Sequence, residues 1–230
     1  MYALYIANKN YSSWSLRPWL LMQRLGISFQ ERLVPFSPGS NWAQFRRFSP
    51  TGRVPCLRDD DNYVWDSLAI TEYLAERHAG VWPTEVRARA WARCAAAEMH
   101  SGFHALRDRC PMNCGVRVQL HTQGAPLTSD IQRVDELWND GLQRFGGPFL
   151  TGASFTAVDA FYAPVAFRVQ SYGLVLSLTS SAYAQRLLEL PEMRLWYGAA
   201  IVEPWREPGH EEEMHRNGTV LQDFRLGGFG

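Results

Sequence analysis

Three serines, Ser12, Ser13 and Ser15, stand where the chain passes from an apolar run into a helical pattern. A serine hydroxyl can donate a hydrogen bond. A helix N-terminus adds backbone N–H groups without intrahelical partners and the positive end of the dipole. Such a place suits an anion, and a thiolate is one. The same serines also suit ordinary helix capping, so this stretch alone leaves both roles open. The elements that must position them are short. Tyr2 to Ile6 reads as a buried strand, and Trp19 to Gly26 as a helix stopped by glycine.

Further along, Ile27 to Val34 alternates as a second strand, and Asn41 to Phe48 reads as a short helix behind a turn-rich loop. Ser49–Pro50–Thr51–Gly52–Arg53–Val54–Pro55 holds too many breakers for regular structure. Cys56–Asp59 and Asn62–Trp65 read as two strands of a hairpin across an acidic turn. Asp66–Ser67 then opens an amphipathic helix over Leu68–His78. Strand, helix and strand predict a parallel pair, and the hairpin adds an antiparallel edge. Ala79–Pro83 changes texture and reads as a linker. Beyond it only helical patterns are found: Thr84 to Arg109, Thr128 to Phe145, Thr156 to Tyr172, Ala182 to Leu190 and Glu192 to Val202, with a break from Pro111 to Pro126. From residue 204 to the end, prolines, glycines and Glu211–Glu212–Glu213 predict an irregular surface tail.

Composition narrows the function. Twenty-three basic and 23 acidic residues cancel, so no polyanion partner such as nucleic acid is expected. No leader pattern and no apolar run near the ~20 residues of a membrane span are present, which predicts a cytoplasmic protein without a membrane partner. The four cysteines do not make a disulfide scaffold in a chain of 230 residues. His100, His104, Cys110 and Cys114 match no common zinc spacing, so no metal site is expected.

A small mixed α/β unit with Val-Pro before a hairpin, joined to an all-helical second unit, resembles the glutathione transferases. Four stretches carry the resemblance. Tyr11–Ser12–Ser13–Trp14–Ser15–Leu16–Arg17 is similar to the Ser-rich motif of serine-type, zeta-like bacterial members, whose first serine is the activating hydroxyl. Ser49 to Pro55 is similar to the loop whose proline is cis and whose preceding residue offers its backbone to the cysteinyl part of glutathione. Asp66–Ser67 resembles the acidic-Ser pair that holds the γ-glutamyl end. Thr156 and Asp159 resemble the family's helix-capping box.

The resemblance implies a thioredoxin-like N-terminal domain at residues 1–79 and an all-α C-terminal domain at 85–203, followed by the tail at 204–230. It implies glutathione as co-substrate, a homodimer, and a small hydrophobic electrophile as second substrate in a detoxifying transfer. Ser12 and Ser13 are the catalytic candidates, with Ser15 and Tyr11 as alternatives. Arg53, Val54, Pro55, Asp66 and Ser67 are the glutathione-binding candidates. The chemistry supports the set: a hydroxyl bonded to the charged form and a helix N-terminus both lower a thiol pKa from its reference of ~8.5. Two rivals remain. One is a glutathione-dependent isomerase of the maleylacetoacetate type, to which Arg17 and Arg168 could offer cations. Ser171, however, stands where that pattern wants arginine. The other is a non-catalytic glutathione-binding scaffold on the same fold.

Overall fold

The computed structural model describes residues 1–226. Strand β1 (Tyr2–Ile6) leads into helix α1 (Ser13–Arg24) and returns as β2 (Phe29–Leu33), parallel to β1. After α2 (Trp42–Phe45), strands β3 (Cys56–Asp59) and β4 (Asn62–Val64) complete a sheet of order β2-β1-β3-β4, with β3 antiparallel to β1. Helix α3 (Ser67–Ala75) follows the hairpin. Leu4 and Ile6 share one core with Leu16, Leu20, Ile70 and Leu74 of α1 and α3. A smaller cluster, Ala7, Phe45, Phe48 and Cys56, seats the α2 segment. This is the mixed-sheet, thioredoxin-like unit that the strand and hairpin signals predict.

The second unit is helical. It comprises α4 (Val86–Ser101), α5 (His104–Arg109), α6 (Gly124–Phe145), α7 (Ala157–Tyr172), α8 (Leu178–Glu189) and α9 (Pro191–Ile201). Helix α7 is buried along almost its whole length and packs against α1, α4 and α8, so it joins the two units. Ala79–Pro83 is no loose tether, because Val81 and Trp82 are buried and Val81 O accepts from Ala157 N at 2.8 Å.

Three expectations are corrected. The helix expected to run to Arg109 breaks at Gly102–Phe103. Phe103 adopts a left-handed conformation (φ 57°), costly for a bulky residue, while its ring is buried beside Tyr162. The break swings α5 out as a separate helix. Second, the stretch read as a break from Pro111 to Pro126 contains β5 (Val116–Leu120), whose Val116 and Val118 are buried. Third, the tail is not irregular. Glu207 caps α10 (Pro208–Asn217), accepting from His210 N at 2.7 Å, and β6 (Gly218–Asp223) pairs antiparallel with β5. The second unit is therefore helical with an added two-stranded sheet. Residues 227–230 of the expected tail lie outside the described residues.

The α7 capping box is present as expected. Asp159 is buried and accepts from Thr156 N (2.9 Å), Leu150 N (3.0 Å) and the Tyr183 hydroxyl (2.8 Å). Burial pushes its carboxyl up to about 6, against the pull of those donors. Asp159→Ala should lower the unfolding free energy by roughly 3 kcal/mol or more, since three buried donors lose their acceptor. Because the folded-state pKa lies above the unfolded one, this group's contribution is fully present below about pH 4 and is lost as pH rises through about 6. Urea unfolding should accordingly show wild type losing stability relative to Asp159→Asn between pH 4 and 7.

Candidate functional site

The turn between β1 and α1 sets the site. Asn8 O accepts from Tyr11 N (3.2 Å) and Ser12 N (2.8 Å), which tightens the handover from strand to helix. Lys9 and Asn10 find their partners in the second unit. Glu203 accepts from Lys9 N (2.6 Å) and Asn10 N (3.2 Å), Trp196 Nε1 donates to Lys9 O (2.8 Å), and Asn10 Nδ2 donates to Asn113 Oδ1 (2.8 Å). The helix start is thus held from behind. In front of it lies an open cavity of about 1100 Å³, lined by Ser12, Ser13 and Trp14 and by Arg53, Val54, Pro55 and Asp66.

Ser12 is the N-cap of α1, yet no side chain caps this helix. Its hydroxyl instead donates to Ser15 Oγ at 2.7 Å, and Ser15 Oγ accepts from Ala7 N at 3.3 Å. Ser15 is fully buried behind the other two. Ser13 lines the cavity, and its hydroxyl makes no hydrogen bond among the described residues. Val54–Pro55 is cis, and neither Val54 N nor Val54 O has a backbone partner among the described residues. Free main-chain groups of this kind can pair with an extended peptide. Arg53 is exposed on the rim.

Asp66 caps α3 by accepting from Leu68 N at 2.9 Å, and its second oxygen lies 3.2 Å from His100 Nε2. Burial, the largest influence, holds the His100 ring below its ordinary pKa. Ser67 is placed differently from its partner. It is fully buried, its Oγ accepts from Arg17 Nη1 at 3.4 Å, and it does not line the cavity. A serine at a helix start has the same sequence signature whichever way it turns.

Tyr11 also lines the cavity, but its hydroxyl is engaged. Its hydroxyl donates to Glu211 at 2.7 Å and its ring stacks on His210 of α10. Burial and Glu211 together push the phenol well above its usual pKa. Residues that were not site candidates in the sequence also line the cavity: Phe36, Arg107, Met112, His210 and Glu213. Arg107 was masked by the apparent continuity of the helix to Arg109, and His210 and Glu213 by the glycine-rich look of the tail. Arg168 also lines the cavity, whereas Ser171 is buried with its hydroxyl on Asn113 O at 2.8 Å.

The chain supplies no thiolate of its own here. Burial pushes Cys56 up to about 11 and Cys110 up to about 12, and raises Cys114 further. Among the described residues no three His, Cys, Asp or Glu side chains cluster as a metal site. No described helix is long and apolar enough to cross a membrane.

A mixed-sheet, thioredoxin-like unit fused to a helical unit carries this cleft. Two family profiles make this specific. "Glutathione S-transferase, N-terminal domain" matches residues 11–77 and "Glutathione S-transferase, C-terminal domain" matches 116–199. Together they span about two thirds of the chain, which belongs to the glutathione S-transferase family.

Individual relatives are more distant. A dichloromethane dehalogenase of Methylophilus leisingeri is 44% identical over 54 residues, which is 23% of this chain and only 20% of that protein. A maleylacetoacetate isomerase of Rattus norvegicus is 24% identical over 221 residues, covering 92% of this chain and 96% of that one. Among solved structures, a Burkholderia glutathione transferase homologue with bound glutathione superposes with a TM-score of 0.62 at 21% identity, covering 86% of this chain and 97% of that one.

The burial pattern of the thiols yields a direct check. Cys94 is exposed whereas Cys56, Cys110 and Cys114 are buried. Titration of the native protein with a soluble alkylating reagent should modify one thiol rapidly, Cys94, and the remaining three only after denaturant is added. Fast modification of a second cysteine in buffer would contradict this packing.

Proposed function

We propose that this chain is a glutathione transferase in which the Ser12 hydroxyl stabilises the glutathione thiolate at the mouth of α1. The observation that carries the reading is the Ser12–Ser15 pair at 2.7 Å, backed by Ala7 N–H, at a helix end that no side chain caps. A hydroxyl is both donor and acceptor, and its proton rotates. When Ser12 turns its proton toward an incoming thiolate, Ser15 can donate to Ser12 in exchange. The chain Ala7 N–H, Ser15, Ser12, thiolate is then polarised in one direction, and each member strengthens the next. Ser13, at the first position of the helix, adds a second donor to the same anion.

In this reading glutathione lies extended along the free backbone of Val54. Asp66 receives the γ-glutamyl ammonium, Arg53 stands by on the rim, and Ser67 acts from behind by bonding Arg17. The thiolate attacks an electrophile held by the helical unit. A carbon–sulfur bond forms and the leaving group departs with its electron pair. The long match to an isomerase and the arginines in the cavity favour a second reading, cis–trans isomerisation, in which the thiol adds and leaves again. The burial of Ser171 away from the cavity weighs against that pattern. A cytoplasmic homodimer belongs to the same proposal.

Kinetics with a panel of halide, enone, peroxide and cis-dienone substrates tests the proposal. Ser12→Ala should cut kcat by ten-fold or more while leaving the glutathione dissociation constant within a few-fold, as expected of a group that acts on the ionised form. Ser15→Ala should give a smaller loss. Asp66→Ala should instead weaken glutathione binding, read by calorimetry, with less effect at saturation. Full activity in Ser12→Ala with none in Ser13→Ala would move the role to Ser13. Tight glutathione binding without turnover of any substrate would point to the scaffold.

A further inference from the structure

Helix α10 brings a histidine to the cavity with its orientation already fixed. His210 Nδ1 lies 2.6 Å from Glu207 Oε2, and the same oxygen accepts from His210 N at 2.7 Å. Although burial opposes it, the bonds from His210 and Gly209 hold the Glu207 carboxyl below its usual range. A carboxylate only accepts, so Nδ1 carries a proton and Nε2 is the nitrogen left free. The ring stacks on Tyr11 at 5.0 Å and on Phe36 at 5.1 Å, which fixes its plane. Nε2 makes no hydrogen bond among the described residues. The side chain is 30% exposed, and it lines the cavity that Ser12 and Ser13 also line.

A helix cap needs only the bond to His210 N. The bond to the ring and the two aromatic stacks go further, and hold an imidazole at one orientation in the cavity wall. No other lining side chain is as free to give a proton. The Tyr11 hydroxyl is engaged by Glu211 at 2.7 Å. Asp66 and Glu213 bring carboxylates, which accept, and arginines do not release their protons. Ser12 and Ser13 face the sulfur in the transferase reading.

We propose that His210, oriented by Glu207, is a catalytic proton donor to the second substrate, which makes this site suited to thiol additions. The proposal rests on the transferase reading above. In addition to an enone a C–S bond forms at the β-carbon and the C=C electron pair moves toward the carbonyl. The carbonyl oxygen then takes the Nε2 proton, and the enol reverts to the ketone in water. The proton released by the thiol restores His210, so the addition is proton-neutral. Displacement of a halide makes no such demand, because chloride leaves with its electron pair and needs no proton.

The test compares a neutral enone, trans-4-phenyl-3-buten-2-one, with a halide, 1-chloro-2,4-dinitrobenzene, at saturating glutathione. His210→Gln should lower the enone-to-halide ratio of kcat/KM by ten-fold or more, with the glutathione dissociation constant within two-fold. Glu207 is a positioning residue. Glu207→Gln keeps an acceptor for the helix cap and should lower the same ratio several-fold, a split between substrates that a merely structural role would not produce. A measurement on wild type alone guards against misfolded variants. The enone reaction should slow by about two-fold in D2O, and the halide reaction should not. An unchanged ratio in a His210→Gln protein that circular dichroism shows folded overturns the proposal, and so do equal isotope effects for the two substrates. Halide turnover by wild type with either of those results leaves the transferase reading standing and removes this inference alone. Turnover of neither substrate overturns both.

Discussion

Glu203 holds the two backbone N–H groups of Lys9 and Asn10, and most of the site depends on that contact. A chain that must turn from strand to helix within a few residues cannot satisfy its own donors by regular pairing. Here the second unit supplies the acceptors. Trp196 adds a donor to Lys9 O, and the Asn10 side chain bridges to Asn113 and Gly115 N. Burial raises the Glu203 carboxyl, while the Lys9 and Asn10 amides pull it back toward the charged form. The start of α1 is therefore located by residues that lie 100 to 200 positions away in the chain. The two units are less two domains in contact than one scaffold closed around a turn.

That closure explains why the first turn of α1 can remain uncapped. A helix end normally recruits a side chain to its free N–H groups. Ser12 is of the right type and in the right place, yet its hydroxyl is directed to Ser15. With the turn held from behind, the helix does not depend on its own cap, and the positive end stays available to a ligand. The arginines extend the same theme into the second unit. The broken helix at Phe103 delivers Arg107 to the cavity, and Arg168 comes from the buried α7 that also supports α1. Tyr11 lines the same cavity, with its hydroxyl bonded to Glu211 of α10.

What was legible in the sequence was local. The β1–α1 handover, the hairpin, the Val54–Pro55 breaker, the Asp66 cap and the Thr156–Asp159 box each declare themselves within a few residues, through turn chemistry, periodicity and capping. What was missed is non-local or directional. Strand β5 alternates correctly, but its partner β6 lies about a hundred residues on, inside a stretch whose glycines and prolines read as an irregular surface tail. The left-handed Phe103 carries no sequence mark, because its conformation is set by the pocket its ring fills. Ser67 shows the directional limit: its place at a helix start was read correctly, and its orientation toward Arg17 depends on a residue fifty positions earlier.

The central claim is that α1 and its serines present an anion site for the glutathione sulfur. Ultraviolet difference spectroscopy of the enzyme–glutathione complex measures it directly, by following thiolate absorbance as pH is raised. A bound thiol with an apparent pKa at least one unit below the free value of ~8.5 is expected. Binding of glutathione with its thiol still titrating near 8.5 would contradict it.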